Sequence, residues 1–422
     1  MDVRTNLTKM GKYLISIATA LLSLSSFAQT PAEQTGLGFI YDDNSKTAKV
    51  YKVSGNKSEV KVPSVVVKDG KNYTVTSIGM SSFEMSKVKK IVLPSTIKNI
   101  EESAFNGCRS LQSINLPDNL TEIKNYTFHE CVSLTSIAIP NTVTTIGEEA
   151  FSGCEKLQNI ALSNAVKSIG ERAFAACAGF TKITIPESIS DIPASAFAGC
   201  FHVTTISIPK SVTKIHESAF YNCQSLQDFN VDKGNLNYAS KDGVLYDKNL
   251  TKLVAFPGQR ESITIPNTVT SIGDYAFSCC LGLTKIMIPQ NVKEIGKGAF
   301  MNCRNLYTVI LPIYIKEIQP ATFYNCESIE YIVIPASVET LKSDAFYGCV
   351  KLGIIRLPDG ALKTIEKNAF MNCESLVSIR IPQNVTKCDD KFENCISLKK
   401  INAPTGLQIP DNNSYDRSVV YY

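Results

Sequence analysis

The sequence predicts a repeat solenoid of 23-residue coils, with a parallel β-sheet along one side, short helical turns along the other and a β-rich cap at its N-terminal end. Three observations predict it. Phenylalanine recurs at Phe83, Phe105, Phe128, Phe151, Phe174, Phe197 and Phe220, then at Phe277, Phe300, Phe323, Phe346, Phe370 and Phe392, in steps of 23 with slips of one at Phe105, Phe370 and Phe392. A cysteine follows every one of these except Phe83 by three residues. Ahead of each Phe lies an apolar-x-apolar segment that commonly ends in Pro, as in Ile137-Ala138-Ile139-Pro140. A unit this short cannot bury its own apolar face, and stacking the units buries it continuously.

The elements follow in chain order. Arg4, Lys9 and Lys12 precede an apolar run from Tyr13 to Leu24, and Ser26-Phe27-Ala28 supplies a small-x-small cleavage pattern. Residues 1–28 therefore read as a secretory signal peptide cleaved after Ala28, which places the mature protein outside the cytoplasm: secreted, periplasmic or at the cell surface. Residues 29–72 read as an N-terminal β cap, with a hairpin around Asp42-Asp43-Asn44-Ser45. Residues 73–404 are the solenoid. Within a coil the I-x-I segment alternates with period two, so Ile137 and Ile139 face inward while Ser136 and Ala138 face outward. Pro140 has no N–H to give a ladder and ends the strand. Val143 and Ile146 re-enter the core, Gly147 allows a sharp turn, and Ala150, Phe151 and Cys154 sit at helix-like spacing.

The 57-residue step from Phe220 to Phe277 contains an irregular insert, residues 232–262. A polar DKNLT turn between two apolar runs marks a hairpin there. The insert reads either as an irregular part of the stack, of one coil or two, or as a binding loop. Residues 405–422 read as a C-terminal cap.

The motifs IPNTVTTIGEEAFSGC (139–154) and IPNTVTSIGDYAFSCC (265–280) resemble the BspA-type leucine-rich repeats of bacterial secreted and cell-surface proteins. The resemblance spans roughly Tyr73 to Pro404. It implies a repeat solenoid, an extracellular location, and adhesion or protein binding, with no catalytic set.

Composition narrows the function. Lys plus Arg number 43 against 39 Asp plus Glu, too even a balance for a nucleic-acid binder that relies on a basic field. No run after residue 28 is apolar enough to be embedded in a membrane. His129, His202 and His216 occupy three different repeat positions, which argues against a His-based metal or catalytic site. Glu294 and Glu317 stand at equivalent positions in neighbouring coils, but Lys293 and Lys316 precede them, so an ion-pair column accounts for the pattern. Twelve of the 14 cysteines share one inward position and Cys388 replaces a buried Ile. They read as free, packed core residues, since parallel side chains in a column strain the disulfide torsion even where Cα spacing permits a bridge.

The outward columns of the sheet carry the functional signal. Before the insert they are small or polar, as at Asn115, Ser136, Ala161, Thr184 and Ser207. After it, Met287, Ile310, Tyr331, Val333 and Ile354 cluster, Tyr307 borders them, and Arg356 and Arg380 follow. Aromatic residues, Met and Arg are enriched at interface centres. The expectation is a monomeric, non-enzymatic exported scaffold without cofactor or metal that binds an extracellular protein through this face, or alternatively a glycan.

Overall fold

The computed structural model describes residues 35–410, apart from residue 159, and the strand Ser418–Tyr421. Residues 1–28, which the sequence leads one to expect as a signal peptide, lie outside the described residues. The first five strands are β1 (Leu37–Asp42), β2 (Thr47–Val53), β3 (Glu59–Lys61), β4 (Val65–Lys68) and β5 (Lys71–Ile78). β1 and β2 are antiparallel across a turn in which the Asp42 carboxylate accepts the Asn44 N–H at 2.9 Å. β4 pairs antiparallel with β5, and β5 runs parallel to β2 and to Asn99–Ile100. The hairpin sheet thus passes directly into the coil stack.

The coils then build two parallel ladders, most of them contributing to both. The first holds the I-x-I segments: β3 with Lys90–Val92 and Ser113–Ile114, then Lys182–Thr184 with Thr205–Ile208 and Asp228–Val231. After the insert it continues as Lys285–Met287 with Thr308–Ile310, and Tyr331–Val333 with Ile354–Arg356. It closes with Ser378–Arg380, Lys400–Ala403 and Ser418–Tyr421. The second ladder consists mostly of two-residue strands that begin nine or ten residues after the first strand of a regular coil begins, such as Glu122–Ile123, Thr145–Ile146 and Ser168–Ile169. The alternation places one face of each I-x-I segment inside: Ile332 is buried between exposed Tyr331 and Val333. The coil at 134–154, which shows the consensus most plainly, forms no strand at Ser136–Ala138, although Ile137 is buried.

The far side corrects an expectation. It holds no helical turns of the α type among the described coils; it is a stack of tight turns. Around Phe105, the amides of Ala104, Asn106 and Cys108 donate three residues back, to Glu101, Ser103 and Phe105. The alternate amides of Ser103, Phe105 and Gly107 donate to Asn125, Thr127 and His129 of the next coil. Ser103 and Gly107 sit at φ of 58° and 67°. An α-helix needs every residue right-handed and every bond within the segment. From Phe83 to Phe370, left-handed residues two before and two after each Phe of the 23-residue series turn alternate amides outward, where most of them join one coil to the next.

Gly147 also differs from its expected role. It is not in the left-handed region; a Cβ there would lie 2.6 Å from the Asn125 backbone nitrogen and 2.7 Å from Lys124 C. The glycine is needed for close approach between coils.

Phenylalanine rings stack through the interior, with centroids 5.3 Å apart for Phe128/Phe151 and 5.5 Å for Phe151/Phe174 and planes within 12°. The stack stops at Phe220, which meets Phe229 edge-on at 62°, and resumes with Phe256/Phe277. Phe256 occupies the repeat position, for its amide donates to Ala276 O at 2.7 Å as the other Phe amides do to the following coil. Residues 228–256 therefore supply one coil. A three-stranded excursion, Tyr238–Lys241, Val244–Asp247 and Lys252–Ala255, is spliced between its two ladders. Lys252–Ala255 re-enters the second ladder beside Ser271–Ile272. Buried Asn235 anchors the start of the excursion, donating to Pro209 O and Val212 O at 2.8 and 3.0 Å.

The apolar core is correspondingly split into two clusters that meet at the excursion. The Phe-to-next-coil amide bond, present from Phe83 to Phe197, is absent at Phe220. A cavity of about 100 Å³ lies at this seam between Phe220, Phe229 and Phe256.

Candidate interaction face

The 14 cysteines are all free and buried. Each ladder thiol donates to the Phe carbonyl of the preceding coil, at 3.2 Å for Cys154 to Phe128, 2.9 Å for Cys303 to Phe277 and 3.4 Å for Cys200 to Phe174. Burial pushes the thiols up, to about 11 at Cys108 and about 12 at Cys154. A thiol held protonated in this way is a poor nucleophile and metal ligand.

The histidines lie apart. His129 bonds Asn106 at 3.0 Å and Glu149 at 3.1 Å, His216 pairs with Asp191 at 3.0 Å, and His202 meets the Ala178 carbonyl at 2.7 Å. Glu317 pairs with Lys342 at 3.3 Å, and Lys316 with Glu339 at 3.1 Å. These are ion pairs between coils.

The outward cluster after the insert is exposed and contiguous. Met287, Tyr307, Ile310, Tyr331, Val333 and Ile354 are 43–66% exposed. Register sets Met287 beside Ile310, Tyr331 beside Ile354, and Val333 beside Arg356. Tyr307, Ile310, Tyr331 and Val333 line one shallow depression of about 650 Å³. The Arg356 guanidinium lies over the Tyr331 ring, 5.8 Å from its centroid. Inward Ile332 and Ile355 are buried beneath these side chains, so the face rests on packed core.

Two departures stand out. Arg380 is ion-paired with Asp359 at 2.5 Å, so its charge is already engaged within the protein. Ile313, 54% exposed, joins the depression from the turn after Pro312, and Tyr314 beside it is 61% exposed. The signal for Ile313 and Tyr314 was in the sequence. The matching turn positions elsewhere are polar, as at Asn141-Thr142 and Gln290-Asn291.

The first-half face is chemically different. A depression of about 700 Å³ there is lined by Ala161, Thr184, Ser207 and Asn230, with Glu187 and Asp232 also contributing. Asn115, in the outward column of that half, is committed to the backbone: its amide accepts from Leu93 N and donates to Leu93 O, both at 2.8 Å.

No helix among the described residues is long and apolar enough to cross a membrane. Comparison with curated proteins yields no match. Among solved structures, a leucine rich cell surface protein from Faecalibacterium prausnitzii is 27% identical over 87% of this chain and 95% of its own, with a TM-score of 0.62. A leucine-rich repeat protein from Eubacterium ventriosum is 27% identical over 90% of this chain and 98% of its own, with a TM-score of 0.58. One from Bacteroides ovatus is 26% identical over 91% and 98%, at 0.54. The family described as "BspA type Leucine rich repeat region" matches residues 76–200, 146–258, 254–352 and 316–419. With most of its length matched, this coiled, Phe- and Cys-columned chain belongs to the BspA-type leucine-rich repeat family.

Proposed function

We propose that the protein is an exported, non-enzymatic scaffold that binds an extracellular protein through its second-half sheet face, in adhesion or host contact. The observation that carries this is the contiguous exposed cluster of Met287, Ile310, Tyr331, Val333 and Ile354 on core-backed strands, with Arg356 over Tyr331. Contiguous apolar patches on a sheet face mark interaction sites. Tyr and Arg are the residue types that most often dominate binding energy. The similarity to a protein described as a cell surface protein supports the location. In the same reading residues 1–28 are a cleaved signal peptide, 29–72 an N-terminal cap, 73–404 the solenoid with its insert at 232–262, and 405–422 a C-terminal cap. The molecule acts as a monomer. Exposed Tyr307 and Tyr331 favour a second reading, stacking against sugar rings.

The test is a panel of extracellular-matrix proteins beside a glycan array, probed with wild type, Tyr331→Ala plus Arg356→Ala, and the first-half control Ser136→Ala plus Ser207→Ala. The first pair abolishes binding to a matrix protein with the melting temperature nearly unchanged, since truncating central anchors costs about 2 kcal/mol or more each. The control binds as wild type. Loss of binding in the control alone places the site elsewhere. Binding confined to the glycan array favours the second reading.

A further inference from the structure

Six arginines fall within the described residues, and five of them are paired with a carboxylate: Arg109 with Glu130, Arg172 with Glu149, Arg260 with Asp228, Arg304 with Glu327 and Arg380 with Asp359. Arg356 has no such partner among the described residues. Asp359, three residues along in its own coil, is taken by Arg380 at 2.5 Å. Arg356 instead lies over the Tyr331 ring. A guanidinium laid on an aromatic face keeps its edge N–H groups free, and that edge is the part that grips a carboxylate with two parallel bonds. The apolar wall beside it, Val333 and then Ile310, lowers the local polarity and strengthens such a bond.

From this we infer that the partner presents an acidic side chain at Arg356, flanked by large apolar side chains that fill the depression from Val333 to Ile310. The inference rests on the reading of this face as the binding surface. Adjacent strands are about 4.8 Å apart, so Arg356 and Ile310 are separated by two steps, about 10 Å. An extended segment laid along the stack covers that span in about three residues. The face also has a polarity. Glu330 lines the same depression three residues from the Arg356 register, about 10 Å along the strand direction. Glu330 therefore repels an acid displaced along the strand, while along the stack an acid meets Arg356 at one end and only apolar Ile310 at the other, so the motif is read in one orientation.

The experiment is selection of a random 12-residue peptide display library on the full protein. Selected peptides are then measured by titration against wild type, Arg356→Gln, Arg356→Lys and Tyr331→Ala. Arg356 is exposed, so the variants fold, and thermal melting checks it. The expected result is enrichment of Asp or Glu next to Leu, Ile, Phe or Tyr. Changing that acid to its amide, or Arg356→Gln, weakens binding about 10- to 100-fold, with Arg356→Lys in between. The two changes together cost no more than either alone. Apolar peptides that need Tyr331 but tolerate Arg356→Gln overturn the acidic partner while leaving the face as the binding surface. Peptides indifferent to both positions, or no enrichment, overturn both. Binding of an acidic saccharide such as sialyllactose, with no peptide enriched, replaces the protein segment by a glycan and overturns this inference.

Discussion

Replacing Cys154 measures what the thiol column contributes. Its side chain is 0% exposed and its sulfur donates to Phe128 O at 3.2 Å. In Cys154→Ala the carbonyl keeps its other bond, from the Cys131 amide at 3.2 Å, so no buried acceptor is orphaned. What is lost is one buried heavy atom, about 0.8 kcal/mol by analogy with a methylene, plus a few tenths for the void between coils that cannot close. The total is about 1–1.5 kcal/mol. In Cys154→Ser a hydroxyl enters an apolar site at a cost of about 1–3 kcal/mol. A retained bond to Phe128 O returns about 0.5–1.5 kcal/mol. The shorter C–O bond draws the donor away from the acceptor, so the return falls at the low end and the net loss is about 1–2 kcal/mol. Urea denaturation of the three proteins, followed by circular dichroism, reads both differences. Thiol titration without reductant accompanies it, showing little reaction when native and essentially all 14 cysteines when unfolded. Few free thiols after unfolding would refute the reasoning, and so would an alanine variant as stable as wild type.

Three other outcomes are expected. Burial raises the folded pKa of Cys108 to about 11 and of Cys154, Cys223 and Cys349 to about 12, against about 8.5 for a free thiol. The stability they contribute is complete below pH about 8.5 and is lost as pH rises through the folded values. The loss approaches about 1.4 kcal/mol per pH unit for each thiol. The urea midpoint should fall steeply between pH 8.5 and 10, and a flat profile would reject the buried thiols. Asn115→Ala strips both bonds from the Leu93 backbone and should cost about 1–2 kcal/mol despite its outward column, read as a lower denaturation midpoint. Because the core divides at the seam, denaturation should resolve two transitions, with Cys154→Ala moving one and Cys326→Ala the other; coincident shifts would show a single cooperative unit.

The period-two alternation carried most of what the sequence revealed. It placed Tyr331, Val333 and Ile354 outward and Ile332 and Ile355 inward, because a strand allows a side chain only two directions. What escaped has specific causes. The strand Thr145–Ile146 contributes one inward residue, too few for an alternation to be seen, so the sequence shows only Ile146 re-entering the core where the structure holds a second ladder. Ala150, Phe151 and Cys154 share helical spacing, yet left-handed Glu149 and Gly153 flank Phe151 and break the helix. Phe256 was hidden by its irregular step, although the Ala255-Phe256 pair repeats the consensus dipeptide. Arg380 and Asn115 sit in the outward columns, but their partners Asp359 and Leu93 lie 21 and 22 residues away, beyond what a column of identities reveals.

The coil-to-coil bonding also bears on how such a chain changes over evolutionary time. The Phe151 amide reaches only the next coil and the Cys154 thiol only the previous one. Deleting or duplicating one whole 23-residue unit would bring together two surfaces that already match. The gene can therefore lengthen or shorten by unequal crossing-over without redesigning a junction, and each such event between the N-terminal sheet and the aromatic cluster slides the cluster by one strand spacing, about 4.8 Å, relative to that sheet. The excursion at 238–255 is the exception. It has no twin among the described residues with which to recombine, so it acts as a fixed reference point from which the two halves can vary in length independently.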